Sequence, residues 1–280
     1  MEEVKIDDLF TLSNDMAAYV GSNEEGFRNF LKTAAFTLHN TVSNQLLIQS
    51  YLMSINGRLP ADEVKTADEW YAEGINIRND TAPIYIMEIG GDKKGYHPKA
   101  VYDISQTDAG LPPVNDKGVV LEQFMKSAPC RIEYTDNFKI KGTKSMYLPA
   151  EDVISVTKGF KSFDEIFSSL AMEYMHRSYA CGGDDKEKKE NTENKRNDVY
   201  QRGAYNDSAY AGAYMIATRY GFDTSTYNFT NTIERLKGAD YKDIKKVLEN
   251  IVSPAINYCK AVDKNMDAYL EAGDINAART

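Results

Sequence analysis

Residues 172–176 read Met-Glu-Tyr-Met-His and lie within the segment SFDEIFSSLAMEYMHRSYA, residues 162–180. Apolar residues recur in this segment at the three- and four-residue spacing of one helix face. Asp164 and Glu165 stand in its first turn, where the helix dipole favours negative charge. The pattern predicts a helix over residues 162–179, whose core-facing stripe consists of Phe163, Ile166, Phe167, Leu170, Ala171 and Tyr174.

The same helix carries a potential metal-binding motif. Met172 and His176 are one turn apart on the face predicted to lie opposite the stripe, and Glu173 lies between them. In the His-Glu-x-x-His motif, two imidazoles bind one Zn²⁺ and the glutamate accepts a proton from the metal-bound water. Here the first histidine is a methionine. Since Glu-x-x-His is common by chance, an exposed helix face is the simpler interpretation.

The composition is that of a globular protein. The 280 residues are 42% hydrophobic and 27% charged, which suits one large domain or two modest ones. No segment approaches the roughly 18 consecutive apolar residues of a membrane helix, and the acidic N-terminus is unlike a signal peptide. We therefore expect a cytoplasmic protein with no membrane partner. Three cysteines without CxxC spacing indicate neither a disulfide framework nor a zinc module.

The net charge limits nucleic-acid binding. At −9 it argues against a protein that wraps duplex DNA by neutralising many phosphates. Either a local site binds nucleic acid or the partner is a protein.

The first part of the chain predicts helices followed by a hairpin. One amphipathic helix has its apolar face on Phe27, Phe30, Leu31, Ala34, Ala35 and Leu38. A second helix is expected over residues 44–54, and a capping box at residues 66–69 opens a short helix. Strand-like segments at residues 83–89 and 100–104 flank a glycine-rich turn at residues 90–95.

A turn-rich segment at residues 107–113 predicts a domain boundary soon after it. Strands are expected near residues 130–134, 145–148 and 153–156. A charged segment at residues 182–198 predicts a solvated loop. Later helices are expected at residues 207–220, 232–237 and 241–269.

Several segments of the chain, in this order, resemble segments of the ArdC-type antirestriction proteins. Residues 146–154 followed by residues 172–178 resemble the zincin-like domain of that family, and residues 209–214 followed by residues 219–225 resemble its third-ligand helix and the next turn. In the first half, residues 43–48, Trp70 and residues 101–107 resemble the family's single-stranded-DNA-binding domain. The matches run in the family's order.

The resemblance implies an α+β fold of two domains. Residues 1–114 would form an α/β domain like the single-stranded-DNA-binding domain. Residues 115–280 would form a zincin-like helical domain with a small sheet.

The resemblance also implies that the metal site is lost. Met172 replaces the first histidine, and the glutamate of the later helix falls at Tyr210, so His176 is the only family ligand left. Thioether and phenol groups are poor replacements for imidazole and carboxylate around Zn²⁺. We therefore predict no metal or other cofactor, a vestigial Glu173, and a pseudo-metallopeptidase that is not an enzyme.

DNA binding would depend on aromatic residues. Where the family has a basic segment, residues 77–82 retain one cation and add an acid. Stacking contributes about 1–3 kcal/mol per base and needs few cations. The candidate contacts are the aromatic residues Trp70, Tyr71, Tyr85, Tyr96 and Tyr102, with the cations Arg78, Lys93, Lys94 and Lys99.

Each of these aromatic residues has an alternative role. Strand tyrosines and a single tryptophan also commonly fill a core. Asn44 and Gln45 either contact DNA or brace the helix junction.

Two functions are compatible with the sequence. The first is an antirestriction-type, single-stranded-DNA-binding protein of a plasmid, phage or conjugative transposon, with an inactive protease site. The second is an acidic anti-defence protein that directly binds and inhibits a host restriction or CRISPR protein. The resemblance favours the first, and the net charge favours the second.

Overall fold

The computed structural model describes residues 4–56, 63–90, 95–110, 116–136, 138, 142–182 and 200–277. Within these described residues, helices and two small sheets make the class α+β, as the sequence predicts. In chain order the elements are α1 (Ile6–Ser22), α2 (Glu24–Phe36), α3 (Val42–Asn56), α4 (Ala67–Ala72), β1 (Ile84–Ile89), β2 (Tyr96–Val101), a 3₁₀ turn (Ile104–Gln106), α5 (Lys117–Lys126), β3 (Arg131–Tyr134), β4 (Ser145–Leu148), β5 (Val153–Val156), α6 (Phe163–Ala180), α7 (Arg202–Arg219), α8 (Thr230–Leu236) and α9 (Tyr241–Ala277).

The chain divides into two compact units. Unit 1 comprises Met1–Pro113 and Asn228–Glu249, and unit 2 comprises Val114–Tyr227 and Asn250–Thr280. The sequence assigns every residue after 114 to one domain, whereas the structure returns residues 228–249 to unit 1. The reason is a long-range contact, because the ring of Phe229 packs 5.2 Å from that of Phe27 on α2.

Unit 1 contains the predicted amphipathic helix. In α2 the residues Phe27, Phe30, Leu31 and Ala34 are fully buried, which confirms the predicted apolar face. Asn23 caps the helix by accepting a hydrogen bond from the N–H of Gly26.

The hairpin of unit 1 is packed on both faces. β1 pairs with β2 in an antiparallel register from Ile84 opposite Val101 to Ile89 opposite Tyr96. One face carries Ile84, Ile86 and Val101 against α3, while Met87 on the other face packs with Leu9 and Leu47.

The second strand of the hairpin differs from its prediction. β2 ends at Val101, whereas the sequence predicts a strand over residues 100–104. Asp103 and Gln106 form a capping box around the 3₁₀ turn, which removes the chain from the sheet. Most of the predicted glycine-rich turn, residues 91–94, lies outside the described residues.

Unit 2 builds a three-stranded sheet beside α6. β5 lies between β3, to which it is parallel, and β4, to which it is antiparallel. The three strands match the predicted segments to within one residue. Ser162 caps α6 by accepting the N–H of Glu165 at 3.2 Å. Phe124 stacks on Tyr174 of α6 with ring centroids 4.4 Å apart, which places an aromatic core under the helix.

Other predictions have mixed outcomes. The helices α1 and α5 are absent from the sequence-based prediction. The charged segment falls almost entirely on residues 183–199, outside the described chain. Within the described chain, every helix is too short or too polar to span a bilayer. The three cysteines are all free thiols.

Candidate functional site

The glutamate of the Met-Glu-Tyr-Met-His motif is buried. Glu173 is only 2% exposed, so the expected exposed helix face is wrong. β4 covers it, because the N–H of Tyr147 donates to Glu173 Oε2 at 2.7 Å and the hydroxyl of Ser145 lies 3.4 Å from Oε1. The apolar stripe is also incomplete, since Phe163 at the start of α6 is 56% exposed. In the second half of α6, burial therefore extends beyond the predicted stripe to Glu173, Met175 and His176.

A cation compensates the buried carboxylate. Arg202, the first residue of α7, donates from Nη1 to Glu173 Oε2 at 2.7 Å and from Nη2 to Oε1 at 2.8 Å. Two parallel N–H···O bonds are the strongest geometry for a guanidinium and a carboxylate. Both oxygens of Glu173 are therefore engaged. The Glu173 carboxylate lacks the open position that a general base offers to a water molecule.

The histidine of the motif is also buried and paired. His176 is fully buried, and its Nδ1 lies 2.6 Å from the hydroxyl of Tyr200. Its Nε2 makes no hydrogen bond to any residue that the structure describes. Burial, together with repulsion from Arg202, lowers the pKa of His176 from 6.5 to about 3. The imidazole is thus neutral near pH 7.

The two substituted ligand positions make other contacts. Met172 is half-buried. The ring of Tyr210 packs 4.5 Å from that of Tyr227, and its hydroxyl donates to the carbonyl of Thr226 at 3.5 Å. Among the described residues, no group of three or more His, Cys, Asp or Glu side chains is arranged to hold a metal ion.

α6 and α7 approach closely beside this cluster. A Cβ atom added at Gly212 of α7 would lie 2.2 Å from Cε of Met175. Both residues are buried, so a glycine at this position permits the close helix packing.

The tryptophan proposed as a stacking platform belongs to the core. Trp70 is 1% exposed and its Nε1 donates to the carbonyl of Tyr102 at 3.0 Å. The ammonium of Lys65 lies 4.4 Å from the ring centroid. A base cannot reach either face of this ring, so the expected platform role of Trp70 is wrong.

The remaining aromatic candidates differ in exposure. Tyr71 and Tyr96 are 53% and 50% exposed, and the exposed Phe10 packs edge-on against Tyr96 at 5.5 Å. Tyr85 is half-buried against the Leu9 cluster, and Tyr102 is also half-buried. Exposed rings therefore occur at two of the five predicted positions.

The candidate cations have acidic partners. Arg78 lies 3.7 Å from Asp80, and Lys99 lies 2.7 Å from Glu88. These carboxylates compete with phosphate for the same N–H groups. Lys93 and Lys94 lie outside the described residues.

The polar pair on α3 has a bracing role. The side-chain amide of Asn44 donates to the carbonyl of Met87 at 3.0 Å, and its oxygen accepts the N–H of Met87 at 2.9 Å. Gln45 donates to the carbonyl of Thr37 at 3.1 Å. Both side chains are buried. These hydrogen bonds support the interpretation that Asn44 and Gln45 brace the helix junction, and not that they contact DNA.

Two crystal structures are similar to this chain. Both are of the antirestriction protein ArdC from plasmid R388, one with bound Mn(II) and one metal-free. The Mn(II)-bound structure has 17% identity and a TM-score of 0.46, covering 80% of this chain and 83% of that chain. The metal-free structure has 16% identity and a TM-score of 0.47, with 80% and 84% covered. No family model and no curated protein matches the chain.

The ArdC resemblance in the sequence contains no signal for Arg202 or Tyr200. Both residues lie more than 20 positions after the residues that they contact on α6. Neither follows a spacing rule of a helix or a strand. Burial of Glu173, which requires a cationic partner, cannot be read from the sequence, and the cation one turn later, Arg177, pairs with Asp152 instead.

Proposed function

We propose that this protein is an antirestriction-type protein of a mobile genetic element, in which unit 2 is zincin-like and catalytically inactive. The ordered resemblance of its sequence segments to ArdC-type proteins supports the family. The Arg202–Glu173 pair carries the proposal of inactivity. In a zincin the glutamate must accept a proton from a metal-bound water, and here two guanidinium N–H groups occupy that carboxylate.

We further propose that unit 1 binds single-stranded DNA by base stacking. Several residues that resemble the DNA-binding domain of the family, such as Asn44, Trp70 and Gln106, are buried and build the fold. We therefore expect the exposed rings, Tyr71 and Tyr96, to contact DNA. Tyr96 forms the larger aromatic surface of the two, because Phe10 packs beside it. Stacking tolerates any base sequence, because every base presents a π-face. A duplex hides its base faces, so we expect a preference for single strands.

Fluorescence anisotropy with a labelled oligonucleotide tests this proposal. Tyr96→Ala should weaken single-strand binding by about fivefold or more, since a stacked base contributes about 1–3 kcal/mol. Tyr134→Ala is the matched control, because Tyr134 lies in unit 2 and is 51% exposed, like Tyr96 at 50%. Both variants should keep the melting temperature of the parent. If the parent binds no single strand even at low salt, the DNA proposal is wrong.

The ion pairs of Arg78 and Lys99 favour a second candidate function. With these cations paired and a net charge of −9, a basic surface of a defence protein would be a better electrostatic partner than DNA. In cleavage assays with a purified restriction endonuclease, direct inhibition should depend on the ratio of protein to enzyme. Shielding of DNA should instead depend on the ratio of protein to DNA.

A further inference from the structure

A cavity of about 660 Å³ lies in unit 1 beside the hairpin. Small-molecule sites in proteins have volumes of about 300–1,000 Å³, so the cavity has room for a ligand. It is lined by the buried hairpin residues Ile86, Met87 and Val101, and by the exposed rings of Phe10 and Tyr96. The cavity therefore adjoins the aromatic surface that we propose for base stacking.

The outer edge of β1 also lines this cavity. In an antiparallel pair, alternate residues direct their backbone groups to the partner strand. The N–H of Gly90 donates to the carbonyl of Gly95 at 2.9 Å, in the same register as the rest of the hairpin. Counting back from this bond, Ile89 and Met87 direct their N–H and C=O groups away from β2. The contact of Asn44 with both backbone groups of Met87 agrees with this direction.

The outward N–H and C=O of Ile89 make no hydrogen bond with any residue in the described ranges. At Met87, two residues earlier, the same pair of groups binds the planar carboxamide of Asn44 at 2.9 and 3.0 Å. A matching ligand for Ile89 therefore carries a donor and an acceptor side by side on one planar edge. Ile89 is 58% exposed, so a ligand can reach it.

The surroundings favour a nucleobase over a peptide or a phosphate. Asn44 occupies Met87, so an extended peptide cannot pair along β1. A lysine or arginine side chain has donors only and would leave the N–H of Ile89 unpaired. A phosphate is repelled by three carboxylates in the lining, those of Glu69, Glu88 and Glu249. Every base presents a donor beside an acceptor on its Watson–Crick edge.

We propose that the outer edge of Ile89 binds the Watson–Crick edge of one nucleobase of a single strand, while Tyr96 stacks a neighbouring base. The base accepts the N–H of Ile89 and donates to its C=O. Tyr96 is the cross-strand partner of Ile89, so the two contacts lie side by side. This site rests on the proposed DNA binding of unit 1 and adds the base edge that is recognised. Because a duplex already pairs that edge, the contact selects single strands.

Affinities for two short oligonucleotides test the edge contact. One is an oligothymidylate, and the other carries difluorotoluene in place of every thymine, which keeps the shape and the π-face but has no N–H donor. Ile89→Pro removes a backbone N–H that lies outside the ladder, where proline is tolerated. It should weaken oligothymidylate binding about fivefold and leave binding of the analogue unchanged. Ile89→Ala, the matched control, keeps the N–H and should retain the parental ratio of the two affinities.

The outcomes separate the edge site from DNA binding as such. If Ile89→Pro lowers both affinities by the same factor, or the parent binds both oligonucleotides equally, base stacking stands and the edge site is wrong. If the parent binds neither, both proposals are wrong.

Hydrogen exchange of the Ile89 amide in the parent replaces the variant if Ile89→Pro does not fold. Saturating oligothymidylate should slow this exchange, whereas the analogue should not. Equal exchange rates with the two oligonucleotides would reject the site.

Discussion

Arg202 donates two hydrogen bonds, of 2.7 and 2.8 Å, to the two carboxylate oxygens of Glu173. The pair joins the first residue of α7 to the middle of α6, 29 positions earlier in the chain. Because Glu173 is only 2% exposed, its charge is compensated by Arg202 and not by water.

A double-mutant cycle on this pair should show strong coupling. Arg202→Ala should lower the free energy of unfolding by about 3 kcal/mol, the low end for a broken buried pair, because Arg202 is partly exposed. Glu173→Gln in that background should restore part of the loss by removing the uncompensated charge. Urea denaturation measures all four proteins. If the effects of the two substitutions on the free energy of unfolding are additive, the interaction between Arg202 and Glu173 contributes no coupling energy.

The purified protein should contain no stoichiometric zinc. Met172 and Tyr210 supply no imidazole or carboxylate, and Arg202 places a positive charge beside Glu173. A cation next to the site opposes a second cation. Elemental analysis after dialysis against zinc-containing buffer provides the measurement. About one zinc per chain would contradict both the lost ligand set and the inactive site.

The pH dependence of stability should report the buried imidazole. The pKa of His176 is lowered from 6.5 to about 3 in the folded protein, so the unfolded state binds more protons between these values. The free energy of unfolding should therefore fall as the pH decreases from about 6.5, by up to about 1.4 kcal/mol per pH unit.

Denaturation of His176→Gln between pH 6.5 and 5 isolates this contribution, because most carboxylates titrate lower. The profile of this variant should be flatter than that of the parent. An unchanged slope in His176→Gln would mean that His176 takes up protons equally in the folded and unfolded states, so that its pKa is not lowered by folding.

Asn44 should contribute to stability and not directly to DNA affinity. Asn44→Ala leaves the N–H and the carbonyl of Met87 without their side-chain partner. We expect a loss of about 2–6 kcal/mol in the free energy of unfolding, since each of the two unsatisfied buried groups costs about 1–3 kcal/mol. Asn79→Ala, at an exposed position, should change stability by less than about 0.5 kcal/mol. A stable Asn44→Ala protein that loses DNA binding would reverse this assignment.

The sequence by itself determined those helices and strands that depend on interactions between residues close together in the chain. The apolar face of α2, the capping box at Thr66 and Glu69, and the three strands of unit 2 all follow from it. Helix periodicity and caps depend on residues three or four apart, and strand character on short β-branched or aromatic runs. These interactions are visible in a one-dimensional pattern.

Tertiary structure alone decided the chemistry of the candidate site. A Glu-x-x-His spacing is the same on an exposed face and in a core, so burial of Glu173 and His176 followed only from the packing of β4 and α7. Arg202, Tyr200 and Phe229 meet partners more than 20 residues away. Trp70 is buried in the core, and the carbonyl of Tyr102, 32 residues later, accepts its indole N–H. Such contacts depend on how elements meet in space, and no local spacing rule encodes them.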